Sequence, residues 1–380
     1  MMRKSLFSVL TLGLMAAAPF AAQAQYAYVG TYNPNGEGVY RFQVAPNGAL
    51  TGKTLVSTLP NAAQMTLNAQ GKVLYVGSES EKGMIAAYRI GDDGGLTLIN
   101  QVSSQGSGPV YLTLTPNGKH LLVANYVSGT IAVLPVNTDG SLAQASDSKQ
   151  DQGPAGAGKP AAAVEGSFAI SDHNGPHAHM ISTDPSGKFL FNTDLGLDRI
   201  YQYRLSDDGK LTPNSPAWIP ASSAGAGPRH FVFHPNGKTV YLVNEEASTL
   251  TRYTFNAHQG TLTEGATVST LPAGFKGTSF AAGLVMDKSG KNLYVANRLH
   301  NSITHFAIEA NGTLTHKDDI WTRGDYPRTL TLSPDGHSLY AMNQRSDNVT
   351  RFNVDNANGT LSFSDEYVAV GAPSQMVITP

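Results

Sequence analysis

The sequence contains no cysteine, and charged residues make up only 14% of its 380 residues. The absence of cysteine excludes disulfides, thiolate zinc sites and cysteine nucleophiles. The formal net charge is −2, which excludes an electrostatically driven nucleic-acid binder because such a protein needs a basic face. Hydrophobic residues make up 41% of the chain, which also has 39 Gly and 21 Pro. This composition favours a sizeable core with many turns.

The one long apolar run lies near the N-terminus. Leu6 to Ala18 follows Arg3 and Lys4, and Ala22-Gln23-Ala24 supplies small residues before Gln25. This order is typical of a signal peptide with its cleavage site. The run is too short to span a bilayer, which needs about 20 residues. We therefore expect residues 1–24 to be a signal peptide. Residues 25–380 would then be one exported domain, periplasmic or secreted, that does not enter the membrane.

The rest of the chain repeats two short strings. The string Gly-x-Leu followed by Thr, Ser or Ala starts at Gly48, Gly94, Gly140, Gly209, Gly260, Gly312 and Gly359. A second string is a turn followed by an apolar strand, and its turn glycines are Gly71, Gly118, Gly187, Gly237, Gly290 and Gly336. Short strands with Gly turns at a period of about 45–50 residues are typical of propeller blades with four strands each. The sequence predicts an all-β, seven-bladed β-propeller.

The two ends of the chain supply complementary parts of one repeat. Tyr26-Ala27-Tyr28-Val29 matches the strand of the second string without its turn, and Ser374–Pro380 matches the segment that precedes that turn. We therefore predict that strands from both ends pair in one blade and close the ring. The spacing between Gly140 and Gly209 is 69 residues, and Ala143 to Phe168 is rich in Ala, Gly, Ser, Gln and Pro. These residues are predicted to be a mobile loop insertion at 143–168.

Two repeat positions are predicted to surround one mouth of the central channel. The innermost strand and the next strand are antiparallel and share the Gly turn, so the start of one lies beside the end of the other. The first position, eight residues before the turn glycine, holds Ala63, Val110, His179, Arg229, Ala282, Arg328 and Ser374. The second, eight residues after it, holds Tyr32, Glu79, Tyr126, Leu195, Glu245, Arg298 and Gln344. Residues that depart from the small or apolar repeat are candidate site residues.

The departures fall in neighbouring blades. His179, Arg229, Glu245 and Arg298 supply an imidazole, a carboxylate and two guanidinium groups, a combination expected in a catalytic pocket. His177 and His179 could also face the same way on a strand and, with Glu245, form a zinc site. Arginine side chains beside that site would repel a dication, so no metal is expected. A buried histidine and a plain inter-blade salt bridge remain the structural alternatives.

At these residues the sequence resembles the lactonase family of seven-bladed propellers, which includes bacterial 6-phosphogluconolactonases and the fungal carboxy-muconate lactonising enzyme. The strings that carry the resemblance are GPHAHMISTDPSGKFLFNTDLGLDRIYQY (Gly175–Tyr203), GPRHFVFHPNGKTVYLVNEEAS (Gly227–Ser248) and GKNLYVANRLHNSI (Gly290–Ile303). The resemblance implies that His179, Arg229, Glu245 and Arg298 are catalytic, that no metal or organic cofactor is needed, and that the substrate is a small lactone. The further candidate substrate-binding residues are His177, Glu79, Asp194, Arg328 and Tyr126.

The function expected from this resemblance is hydrolysis of a sugar-type lactone to the hydroxy acid. Arg229 and Arg298 would stabilise the oxyanion, while either Glu245 or His179 takes a proton from the attacking water. An exported enzyme would meet gluconolactone or a similar unphosphorylated lactone rather than a phosphorylated cytosolic one. Two alternatives are a non-catalytic exported binding module and a lactonising isomerase of muconate-type acids.

Overall fold

The structure, a computed structural model, describes residues 24–161, 163 and 172–380. The predicted signal peptide up to Gln23 and residues 162 and 164–168 of the predicted insertion lie outside the described residues. No helix in the described part of the chain has the length and apolar character needed to cross a membrane.

The described residues form seven antiparallel sheets of four strands each. In chain order the strands are β1 (Tyr26–Thr31), β2 (Val39–Val44), β3 (Leu50–Ser57), β4 (Ala62–Leu67), β5 (Val73–Ser78), β6 (Met84–Ile90), β7 (Leu96–Ser103), β8 (Pro109–Leu114), β9 (His120–Asn125), β10 (Thr130–Pro135), β11 (Asp147–Gln150), β12 (Ala178–Thr183), β13 (Phe189–Asp194), β14 (Arg199–Leu205), β15 (Leu211–Pro220), β16 (Pro228–Phe233), β17 (Thr239–Asn244), β18 (Thr249–Asn256), β19 (Thr261–Ser269), β20 (Ala281–Met286), β21 (Asn292–Asn297), β22 (Ser302–Ile308), β23 (Leu314–Trp321), β24 (Pro327–Leu332), β25 (Ser338–Asn343), β26 (Asn348–Val354), β27 (Leu361–Ala369) and β28 (Pro373–Ile378).

The sheets are the blades of a seven-bladed propeller. Blade 1 is β28-β1-β2-β3, and blades 2 to 7 take the following strands in sets of four. The innermost strands β28, β4, β8, β12, β16, β20 and β24 contact one another in that order, and β24 contacts β28. The ring is therefore closed, and β28 pairs with β1 as predicted.

Hydrogen bonds between neighbouring blades explain why both strings repeat. In five blades the Tyr hydroxyl of the second string donates to the Gly carbonyl oxygen of the Gly-x-Leu string in the next blade, at 2.5–2.9 Å. The pairs are Tyr28–Gly94, Tyr75–Gly140, Tyr241–Gly312, Tyr294–Gly359 and Tyr340–Gly48. The last pair joins blade 7 to blade 1, so the same contact continues across the closure.

The core lies between adjacent blades rather than at one centre. The alternating apolar residues of the second and third strands of each blade pack against those of the next blade. Fully buried asparagines at one repeat position, Asn125, Asn244, Asn297 and Asn343, donate side-chain hydrogen bonds at the ends of the second strands. These asparagines belong to the scaffold, because their side chains satisfy hydrogen-bonding groups where the strands end.

The prediction of a loop over 143–168 is wrong for four residues. Asp147–Gln150 forms β11, the outermost strand of blade 3, and pairs with β10 from Thr130 to Val133. The flexible composition of the insertion concealed this strand, which contains no apolar residue. The insertion therefore begins after the fourth strand of blade 3 is complete.

Candidate active site

A β-bulge at the start of the innermost strand directs the candidate side chains. In six blades one residue is skipped in the pairing of the first two strands. These skipped residues are Ala63, Val110, His179, Arg229, Arg328 and Ser374. In blade 6 the shift spans Ala282 and Gly283. A bulge leaves one residue unpaired and changes the direction of its side chain. The first set of predicted mouth positions is therefore the set of bulged residues.

Glu245 connects the candidate catalytic residues. It follows β17, and its backbone N–H donates to Gly227 O at 2.7 Å. Its Oε2 lies 3.1 Å from Arg229 Nε and 3.9 Å from His179 Nε2, and its Oε1 contacts Arg298 Nη2. All four side chains are buried. The structure thus brings together an imidazole, a carboxylate and two guanidinium groups from blades 4, 5 and 6.

The surroundings favour different charge states for the acid and the imidazole. Burial alone would raise the pKa of Glu245, but Arg298 and Arg229 outweigh it and lower the pKa below its usual range. Burial, followed by the positive charge of Arg229, lowers the pKa of His179 well below its usual value. Burial lowers the pKa of Arg229 to about 9, although Glu245 opposes that change. At neutral pH, Glu245 is therefore ionised and His179 is neutral.

His230 is a further imidazole at the site that the sequence analysis missed. Its ring lies edge-on to the His179 ring at 5.0 Å between centroids, and Arg229 Nη1 donates to His230 Nδ1 at 3.2 Å. A guanidinium can only donate, so His230 Nδ1 is the acceptor and Nε2 carries the proton. Burial and the arginines lower the pKa of His230 well below its usual value. Its place beside the bulged Arg229 was the available sequence signal.

A second cluster of polar and charged side chains comes from blades 7, 1 and 2. Arg328 Nη2 lies 4.0 Å from Glu79 Oε2, and the Tyr32 hydroxyl donates to the same oxygen at 2.5 Å. Burial raises the pKa of Glu79, although Arg328 and the Tyr32 hydrogen bond oppose it. Arg328 also lowers the pKa of both His179 and Glu245. The two clusters therefore share one electrostatic environment.

Tyr126 and His177 pack beside the candidate base. The Tyr126 ring stacks on His177 at 4.5 Å and meets the edge of His179 at 5.5 Å. His177 Nδ1 donates to Tyr126 O at 2.8 Å, and His177 Nε2 lies 2.7 Å from Asn174 Oδ1. Both nitrogens of His177 are thus used within the chain. In the ranges that the structure covers, no three His, Asp or Glu side chains are arranged to hold a metal ion.

Asp194 is buried and hydrogen-bonded to the backbone. Its side chain is fully buried, and its Oδ1 accepts the backbone N–H groups of His177 at 2.9 Å and Leu197 at 2.8 Å. The structure therefore gives no support to Asp194 as a substrate contact. Asp194 instead fixes the backbone that leads into β12, two residues before His179.

Three comparisons with known proteins agree with this architecture. Residues 26–378 match the family model described as lactonase, 7-bladed beta-propeller. The chain is 31% identical over 351 residues to a 6-phosphogluconolactonase of Bacillus subtilis, covering 91% of this chain and 96% of the relative. A 6-phosphogluconolactonase of Cronobacter sakazakii is 28% identical over 351 residues, covering 92% and 97%. The solved periplasmic gluconolactonase of Pseudomonas aeruginosa superposes with a TM-score of 0.83 at 28% identity, covering 94% and 99%.

Proposed function

Because the chain belongs to the lactonase family of seven-bladed β-propellers, we propose that it hydrolyses a sugar lactone to the corresponding hydroxy acid at the mouth formed by blades 4 to 7. The observation that carries this proposal is the buried contact of Glu245 with Arg229, Arg298 and His179. Such a site offers fixed positive charge for an oxyanion together with a neutral base.

In the proposed mechanism His179 accepts the proton of the attacking water. A general base must be unprotonated at the working pH, and burial with nearby arginines keeps His179 neutral. Glu245 is a weaker candidate because two guanidinium groups stabilise its ionised form. Its charge instead holds the arginines in place and stabilises the imidazolium that forms at His179. That imidazolium then protonates the ring oxygen as the lactone opens.

Arg229 and Arg298 are proposed to bind the oxyanion of the tetrahedral intermediate. Donors that are already oriented toward a developing negative charge contribute about 3–4 kcal/mol each. Arg229 Nη2 is buried without a hydrogen-bond partner in the described residues, so it retains a proton that it can donate. Arg328, Glu79, Tyr126 and His177 complete the walls and would contact or position the rest of the lactone.

The proposed substrate is an unphosphorylated aldonolactone such as gluconolactone. The supporting arguments are the signal peptide predicted for residues 1–24 and the likeness to a periplasmic gluconolactonase. An exported protein would carry Gln25 as its N-terminal residue, which the intact mass of the mature protein tests, whether Gln25 is free or cyclised to pyroglutamate. Retention of residues 1–24 in protein isolated from the cell envelope would contradict the export proposal.

The activity is tested by pH-stat hydrolysis of gluconolactone, 6-phosphogluconolactone and muconolactone. We expect gluconolactone to open well above its spontaneous rate and faster than the phosphorylated lactone. Preference for 6-phosphogluconolactone would contradict the substrate proposal, whereas turnover of muconolactone alone would favour a lactonising isomerase. No turnover of any lactone would favour the binding-module alternative.

Two variants test the assignment of roles. We expect His179→Ala to lower kcat by about 10²–10⁴-fold, the usual contribution of a general base, and added imidazole to restore part of the loss. Glu245→Gln keeps the shape but removes the charge, and we expect a loss of about 10²–10³-fold that imidazole does not restore. The exposed Lys238→Gln variant, at the other end of the strands, is the control. Wild-type hydrolysis by His179→Ala would reject His179 as the base.

A further inference from the structure

Tyr326 adopts a backbone conformation that is unfavourable for its side chain. Its φ is 64°, in the left-handed region that bulky residues rarely occupy. It also precedes Pro327, which restricts its backbone further. Two hydrogen bonds hold this conformation: the Tyr326 N–H donates to Asn301 Oδ1 at 2.8 Å, and the Gln344 N–H donates to Tyr326 O at 3.1 Å.

The same point of the repeat has positive φ in other blades, where smaller residues occupy it. Two residues before the bulge, Gly108 has φ 65°, Gly227 has φ 68°, Asn61 has φ 48° and Ala372 has φ 37°. Glycine meets this backbone requirement without a steric penalty. Nothing in the turn itself therefore requires a tyrosine in blade 7, and the side chain must be explained by what it contacts.

The Tyr326 ring lies against two guanidinium groups. The guanidinium carbon of Arg298 is 5.2 Å from the ring centroid, and that of the exposed Arg345 is 3.8 Å from it. The Phe280 ring lies 5.3 Å from the same carbon of Arg298. Cation–π contacts at these distances restrict a guanidinium group. The end of Arg298 is thus held by two rings and by the carboxylate of Glu245.

We propose that Tyr326 is a positioning residue that holds the Arg298 guanidinium in the orientation needed for catalysis, at the cost of backbone strain. This inference rests on the proposed lactonase function, in which Arg298 stabilises the oxyanion. Strain that the surrounding structure maintains is found preferentially at functional sites. Tyr326 comes two residues before Arg328 in the chain, and its ring contacts Arg298. Both its sequence position and its contact therefore place it at the mouth.

The test compares Tyr326→Phe, Tyr326→Gly and the control Ala372→Gly. Tyr326→Phe keeps the ring, and we expect kcat and KM within about twofold of wild type. Tyr326→Gly removes both ring and strain, and we expect kcat to fall at least tenfold with KM nearly unchanged and without a loss of thermal stability. Ala372→Gly relieves the equivalent strain in blade 1 and should keep wild-type kinetics. Tyr326→Leu provides a bulky variant without an aromatic ring if Tyr326→Gly does not fold.

A double-mutant cycle with Arg298→Lys identifies the route of the effect. If Tyr326 acts through Arg298, the Tyr326→Gly change should lower kcat much less in the Arg298→Lys background. Additive losses, or a raised KM with unchanged kcat, would show that the ring contacts substrate instead and would overturn the inference. Wild-type kinetics in Tyr326→Gly would also overturn it.

A measurement independent of turnover separates this inference from the proposed function. The Nε–H resonance of Arg298 in ¹⁵N-arginine-labelled protein, assigned by its absence in Arg298→Lys, should be shifted by the ring in wild type and in Tyr326→Phe. It should move toward the position of an exposed arginine in Tyr326→Gly. An unchanged resonance would overturn the positioning role, whereas the absence of lactone turnover by wild type would overturn only the proposed function.

Discussion

Each titratable side chain at the mouth takes its charge state from its neighbours. Arg229, Arg298 and Arg328 supply three positive charges, and Glu245 and Glu79 face them with carboxylates. Breaking a buried ion pair by removing one partner is strongly unfavourable, so each carboxylate keeps its arginines at the mouth. The imidazoles of His179 and His230 remain neutral because protonation would add positive charge to a buried cationic site.

This electrostatic coupling predicts how Arg328→Gln changes the pH dependence of hydrolysis. Arg328 is one of the charges that lower the pKa of His179, after burial, Arg229 and His230. Removing it should raise that pKa, so the acid limb of kcat/KM should move to higher pH. Profiles of wild type, Arg328→Gln and the exposed Lys238→Gln measure the shift. A shift of the limb to lower pH, or an equal shift in Lys238→Gln, would contradict His179 as the group that titrates.

The residues that the sequence predicted and those it missed differ in how they reach the mouth. His179, Arg229 and Glu245 depart from the repeat at fixed offsets from a turn glycine, and register alone places them together. His230 comes one residue after the bulged Arg229, and Tyr326 comes two residues before the bulged Arg328. Neither lies at one of the two repeat positions that the sequence analysis compared, so that comparison missed both residues.

Strand-level features were predicted where they repeat and missed where they do not. The tyrosine and glycine of the two strings lie at matched positions because in five blades the tyrosine hydroxyl donates to the glycine carbonyl oxygen of the next blade. By contrast, β11 lacks apolar residues and is recognised only through its pairing with β10. Its polar character follows from its place at the outer edge of the blade, where the side chains meet water.

Two buried carboxyl groups lie next to each other where β11 and β13 end. Asp151 follows β11 and accepts the Asn192 amide at 2.7 Å, while Asp194 ends β13. Burial and the adjacent Asp194 raise the pKa of Asp151 well above its usual value. A carboxyl whose pKa rises on folding keeps a proton that the unfolded chain loses above about pH 4, so its contribution to stability falls as pH rises from that value.

We therefore expect Asp151→Asn to stabilise the protein most at alkaline pH. The amide can accept from Asn192 and donate to Asp194 as the protonated acid does, without the need for a bound proton. The free energy of unfolding should increase by on the order of 1–3 kcal/mol at pH 8, the cost of leaving a buried polar group without its hydrogen-bond partner. The increase should be smaller at pH 4. Urea unfolding at both pH values measures it. Asp147→Asn is the control, because the pKa of Asp147 lies below its usual value. An equal gain in stability in Asp147→Asn would contradict the assignment of a bound proton to Asp151.

At the scale of the whole molecule, the ring depends on one strand that is distant in sequence from its partner. β28 pairs with β1, and hydrogen bonds join it to the neighbouring innermost strands. Thr329 Oγ1 donates to Ser374 O at 2.6 Å, Ser374 Oγ donates to Ala63 O at 2.7 Å, and Met65 N–H donates to Gln375 Oε1 at 2.5 Å. The sequence predicted this closure because the two terminal segments complete one repeat.

Truncation after Gly371 should therefore abolish the closed fold rather than remove one strand locally. It leaves β1 with an unpaired edge and separates blade 7 from blade 2 at the channel, and unpaired edges promote aggregation. We expect loss of the cooperative thermal transition and of lactone hydrolysis. A synthetic peptide of residues 372–380 should restore part of both by adding the missing strand to the open edge. Truncation of Pro380 alone is the control. If the chain truncated after Gly371 melts like wild type, blade 1 does not need β28 to close the ring.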